Sequence, residues 1–137
     1  MKFKTNQVFG GLRIVGCELK ASGHLVIPSV IDGLPVYSIG ESAFHNCSGL
    51  VSVKIPVGVT HIGVDAFYGC INLERVSIPD TVSHIGYGAF YDCISLSRVN
   101  IPDSVIEIDG CAFYNCHNLT EAIVPESVLH LGERAFG

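Results

Sequence analysis

Charge is scarce in this chain. Asp, Glu, Lys and Arg make up only 15% of its 137 residues, and the net charge of -5 is spread without a block of either sign. Nucleic acid and anionic membrane surfaces are bound through basic clusters, and the sequence has none. Long apolar runs are also lacking. No stretch of about 18 consecutive apolar residues occurs, so the pattern of a membrane-spanning helix is not there. The opening residues, Met1-Lys2-Phe3-Lys4-Thr5-Asn6-Gln7, lack the apolar centre of a secretory leader. A cytoplasmic protein fits that start, and so does a secreted one whose leader lies outside these residues. Catalytic signatures are missing as well. There is no Gly-x-x-x-x-Gly-Lys phosphate loop and no His-Glu-x-x-His zinc motif. No spacing brings a serine, a histidine and an acid together beside an oxyanion hole.

What the chain does have is apolar content, 48% of its residues, over the length of one domain. That is enough to bury a sizeable core and argues against disorder. It also has a repeat. Ala43-Phe44, Ala66-Phe67, Ala89-Phe90, Ala112-Phe113 and Ala135-Phe136 recur every 23 residues. A fixed period in this range marks a solenoid, in which each coil buries its apolar side only against its neighbours. From Ile55 onward the register is strict. Ile55-Pro56, Ile78-Pro79, Ile101-Pro102 and Val124-Pro125 align, as do Cys47, Cys70, Cys93 and Cys116, then Leu50, Leu73, Leu96 and Leu119. The segment Val-x-Ile predicts a strand with both apolar side chains inward, about 4.8 Å from its copy in the next coil. Proline ends that strand because it cannot donate to a ladder. Val-x-x-Ile leads the chain back across the core. Gly40, Gly63, Gly86 and Gly132 then read as turn residues with positive φ, with Asp109 as a tolerable substitute in the fourth coil.

Residues 1–26 are the least repetitive. Val8-Phe9, Leu12 to Val15 and His24 to Ile27 read as short strands that cap the first coil, and 27–137 as about five coils, the last incomplete. Five extra residues near Val30 to Pro35 read as a loop on one edge of the stack. The chain stops just after Ala135-Phe136, before the Cys-x-x-Leu that follows elsewhere, so the last coil is expected to be frayed, covered by another chain or continued in a longer protein.

This pattern resembles the BspA-like leucine-rich repeat, also called the Treponema pallidum type, over roughly residues 25–137. Ile27-Pro28, Gly33-Leu34-Pro35-Val36, Ile39-Gly40 and Ala43-Phe44 resemble that family's usual first repeat. The resemblance implies an α/β leucine-rich-repeat solenoid, strand-rich with little helix, with a parallel sheet on its concave face. It further implies a protein-binding role, often as a surface or secreted adhesin. Ala122, Val124 and Asp109 depart from the pattern.

Four groups of residues are candidates for function. The cysteine column spreads its sulfurs along an axis, where a structural metal site gathers four ligands at one point, so it reads as a ladder of buried thiols with no metal. Free thiols on this scale suit a reducing compartment or an anaerobe's surroundings. His61, His84 and His130, with Glu107 between, share a second column; it reads as an exposed polar row, with chelation by His61, His84 and Glu107 as the alternative. His45, Tyr68, Tyr91 and Tyr114 read as rings covering one edge of the core, with protein or sugar contact as the alternative. The outward strand positions are the strongest binding candidates. They are Ser52, Arg75, Arg98 and Glu121 in one column and Lys54, Ser77, Asn100 and Ile123 in the next. Lys54, Arg75 and Arg98 lie side by side there, which suits an acidic patch on a partner. The expected function is therefore a non-catalytic, cofactor-free protein-interaction module. Rival readings are a structural slice of a larger solenoid and, from another class, a β-helical acyltransferase or polysaccharide lyase. Self-association through the last coil is a further expectation.

Overall fold

A computed structural model of the chain describes residues 2–17 and 20–137. It is a β-solenoid of 23-residue coils, and no helix occurs among the described residues. None of its segments is therefore a helix long and apolar enough to cross a membrane. Twelve strands follow in order: β1 (Phe3–Val8), β2 (Gly11–Cys17), β3 (Ser22–Val26), β4 (Val30–Ile31), β5 (Leu34–Ile39), β6 (Gly49–Lys54), β7 (His61–Ile62), β8 (Arg75–Ser77), β9 (His84–Ile85), β10 (Arg98–Asn100), β11 (Glu107–Ile108) and β12 (His130–Leu131).

Two sheets run along the stack. The Val-x-Ile strands form one, parallel and ordered β3-β6-β8-β10. The second is built where the sequence suggests only a return across the core. There β5, β7, β9, β11 and β12 pair in parallel through two-residue ladders such as His61-Ile62 against His84-Ile85. An antiparallel hairpin, β1-β2, joins its N-terminal edge through β2 against β5. Phe9, read from the sequence as strand, sits fully exposed in the hairpin turn. The inserted residues are a small hairpin, with β4 paired antiparallel to β5.

The core is one strip of stacked columns. Phe44, Phe67, Phe90, Phe113 and Phe136 stack nearly parallel, with ring centroids 5.1 to 5.2 Å apart. The N–H groups of Phe44, Phe67, Phe90 and Phe113 donate to the Ala carbonyl of the next coil, from Phe44 to Ala66 at 2.7 Å and from Phe90 to Ala112 at 2.7 Å. Side chains continue this coil-to-coil bonding. Thr81, Ser104 and Ser127 donate to the carbonyls of Val59, Val82 and Val105 at 2.7 to 2.8 Å. No buried side-chain polar atom among the described residues lacks a partner.

The thiol column belongs to this core. Cys70, Cys93 and Cys116 are buried, and each Sγ–H donates to a Phe carbonyl of the preceding coil at 3.2 Å. Burial, chiefly, pushes the Cys70 and Cys116 thiols up to about 12 and raises that of Cys93 as well. Such thiols carry almost no thiolate near neutral pH and are poor nucleophiles.

The glycine column has a different cause from the one its sequence suggests. Gly40, Gly63, Gly86 and Gly132 do not have positive φ, nor does Asp109. Positive φ falls two residues later, at Ser42, Asp65, Gly88, Cys111 and Arg134, and again at Asn46, Gly69, Asp92 and Asn115. What forces glycine at 63 and 86 is contact between coils. The Gly86 N–H donates to Ile62 O at 2.8 Å, and a Cβ on Gly86 would lie 2.8 Å from Gly63 C and Val64 N.

Two outcomes test this packing. Gly86→Ala should lower stability by about 1–3 kcal/mol in chemical denaturation, the usual cost of overpacking; an unchanged midpoint would contradict the close approach. In the folded protein at about pH 8, an aromatic disulfide reagent should label at most the half-buried Cys17 and Cys111, with all six thiols reacting in denaturant. Native-state labelling of Cys93 at the denatured rate would show that the ladder is open.

Candidate functional site

The strand side chains that point away from the core on β3, β6, β8 and β10 line one open groove of about 500 Å³. Its register is fixed by the parallel ladder. His24, Ser52, Arg75 and Arg98 stand opposite one another in one column, and Val26, Lys54, Ser77 and Asn100 in the other. Alternation along each strand sends Val53 and Val76 into the core on the opposite face and leaves the polar positions, with Val26, to line the groove. Of the residues singled out from sequence, Ser52, Lys54, Arg75, Ser77, Arg98, Asn100 and Glu121 all line this groove.

Ile123 does not. The expected strand around it is absent: residues 120–125 form no ladder with β10, and Ile123 is 80% exposed outside the groove. Ala122 is only half-buried where Val53 and Val76 are buried, so the smaller side chain anchors this segment less. Two groove residues were not singled out. His24 and Val26 precede the strict repeat in sequence, but β3 pairs with β6 as a full strand, and the His24 Nδ1 lies 2.7 Å from Ser52 Oγ. The period-two run Ser22 to Val26 is the signal that could have placed them in the same columns.

Electrostatically the groove is uneven. Arg75 and Arg98 are in register on adjacent strands, and neither they nor Lys54 form an ion pair among the described residues. Like charges directly opposite on a sheet cost roughly 0.2–1 kcal/mol. A fold keeps such a pair more readily if something else uses it.

The other polar columns are self-contained. His61 and His84 stack with centroids 4.4 Å apart, their Nδ1 atoms 2.9 and 2.7 Å from the hydroxyls of Thr60 and Ser83. Those hydroxyls orient the rings, a detail the sequence does not disclose. His84 Nε2 lies 3.8 Å from Glu107 Oε1. Partial burial, followed by His84, lowers the His61 pKa, so its neutral form is favoured. Among the described residues no three His, Cys, Asp or Glu side chains converge as a metal site would require. His45, Tyr68, Tyr91 and Tyr114 stack at 4.8 to 5.0 Å. The rings within that row spend both faces on one another. A sugar needs an open aromatic face, so the row is poorly suited to hold one.

Comparison with known proteins agrees with this geometry. The model of the BspA type leucine rich repeat region matches residues 27–137, in 6 copies. Among solved structures, a leucine-rich repeat protein of T. pallidum is 36% identical with a TM-score of 0.94, over 98% of this chain and 63% of its own. One from Bacteroides ovatus is 31% identical with a TM-score of 0.89, over 99% of this chain and 37% of its own. A leucine rich cell surface protein from Faecalibacterium prausnitzii is 25% identical with a TM-score of 0.54, over 98% of this chain and 50% of its own. This chain thus spans less than two thirds of the length of these relatives. The search of curated proteins finds no match. With the 23-residue coil, the stacked Ala-Phe corners and the family match over 27–137 in agreement, the chain belongs to the BspA-type leucine-rich repeat family.

Proposed function

We propose that this chain is a non-catalytic protein-interaction module that binds through the exposed face of its β3-β6-β8-β10 sheet. The observation that carries this reading is the groove itself: Lys54, Arg75 and Arg98 are gathered on it beside the exposed Val26, with no ion pair of their own among the described residues. Electrostatic complementarity then selects a partner with an acidic patch and speeds its approach. Leucine-rich repeat solenoids typically serve as interaction scaffolds, and the nucleophiles found here do not favour catalysis, since the deepest thiols are held protonated by burial. Likeness to the F. prausnitzii cell surface protein supports a place at a cell surface, where the groove would act in an adhesin-like role.

A second reading is a spacer within a longer array, in keeping with the greater length of the relatives. Under it, exposed Leu129 and Leu131 on the last coil would meet another coil or a second copy.

Site-specific photo-crosslinking separates the two. A photoreactive residue at Ser77, in the groove, should crosslink a defined partner in cells. The same residue at exposed Ile106, beside the other sheet, should not. Arg75→Glu with Arg98→Glu should reduce the Ser77 product by about tenfold or more, as expected when two charge contacts are reversed. Equal crosslinking from both positions, or a Ser77 product indifferent to the two reversals, would remove the groove as the binding surface.

A further inference from the structure

The charges on the groove change sign once along its length. Read from the first strand onward, one column runs His24, Ser52, Arg75, Arg98 and then Glu121, and the other begins at Val26, which is 66% exposed. Positive charge therefore fills the middle. One end offers an open apolar side chain and the other a carboxylate. The dimensions are equally definite. Four laddered rungs at about 4.8 Å, with Glu121 lining the groove one coil beyond the last, give a length of about 19 Å, and two columns on alternate residues give a width of about 7 Å. An extended polypeptide advances about 3.3 Å per residue, so about six residues cover that length in single file. A helix, about 10–12 Å across with its side chains, is too wide to settle between the columns.

Resting on the reading of this face as the partner-binding surface, we infer that its occupant is one extended segment of a partner protein, about six residues long, laid along the solenoid axis across the strands. Two acidic side chains of that segment meet Arg75 and Arg98. An apolar one covers Val26 at one end, and a basic one meets Glu121 at the other. Complementarity of both charge and width points to this ligand over a flat domain surface. A broad, flat surface would gain nothing from the single sign change along so narrow a strip.

Fluorescence anisotropy with labelled six-residue peptides tests the inference. The probe carries a leucine at one end, two glutamates at its centre and a lysine at the other end, and is made in both chain directions. Its control has the same composition with the charges exchanged. One direction of the probe should bind at least about tenfold tighter than the control. Raising salt from about 50 to about 500 mM should weaken it. Arg98→Glu should abolish the preference, and the double reversal Arg75→Glu with Arg98→Glu should turn it toward the exchanged peptide. Both variants sit on exposed positions, and circular dichroism confirms that they fold. Equal binding of probe and control, or none up to about 1 mM, overturns the inference. So does tighter, sequence-independent binding of a sulfated polysaccharide. If the peptides fail while Ser77 crosslinking still depends on Arg75 and Arg98, the linear segment falls and the interface stands. If the crosslink also loses that dependence, both fall.

Discussion

Everything in this protein depends on one constraint: each residue lies over its counterpart 23 positions away, at the spacing of a parallel ladder. Identical side chains are thereby forced into contact with copies of themselves. For phenylalanine this is favourable. Four of the five rings are fully buried, and each contributes about 1.5–3 kcal/mol of apolar burial, with stacking adding about 0.5–1.5 per pair. The same constraint gives Cys70, Cys93 and Cys116 a carbonyl in the preceding coil, and the hydroxyls of Thr81, Ser104 and Ser127 another. Polar atoms can enter the core because the period delivers their partners with them.

Self-stacking suits charge poorly, and that sorts the columns. Among the described residues, no charged or polar side chain other than the thiols is buried. On the outer face of the second sheet the tension is relieved locally: the His61 and His84 rings stack, burial favours the neutral form of His61, and the acid in that row, Glu107, faces His84. On the groove face it is not relieved. Arg75 meets Arg98 with no acid between them among the described residues. The repeat offered Ser52, Ser77 and Asn100 as neutral alternatives on the same face, so the arginines are not demanded by the fold.

Much of the architecture is legible in the sequence because stacking writes it there as periodicity. The Ala-Phe pair, the Cys and Leu columns and the Val-x-Ile strands are all visible as fixed positions, and strand alternation alone puts Ser52, Lys54, Arg75, Ser77, Arg98 and Asn100 on the groove face. Three features were hidden for physical reasons. The second sheet is built from two-residue ladders such as Glu107-Ile108 against His130-Leu131, too short for a period of two to show. The positive-φ column is occupied by Ser42, Asp65, Gly88, Cys111 and Arg134, which share no side-chain chemistry. The conspicuous glycines were easy to find but ambiguous, because either positive φ or close backbone approach can require glycine, and only the coil-to-coil distances separate the two.

The family match explains the columns that repeat; recognition has to be sought in those that do not. Three variable rows compete for that role. The histidine row has its rings against each other and its Nδ1 atoms beside hydroxyls. The tyrosine row has its inner ring faces covered by its own neighbours. Of the three, the groove row keeps strong donors without an ion-pair partner among the described residues, and it sets them beside the exposed apolar Val26. Desolvating an arginine pair is costly unless carboxylates replace the water, whereas covering the exposed Val26 at the groove's end is favourable without further partners. A ligand that brings both acid and apolar surface satisfies the two requirements together, and a purely charged or purely greasy one satisfies neither.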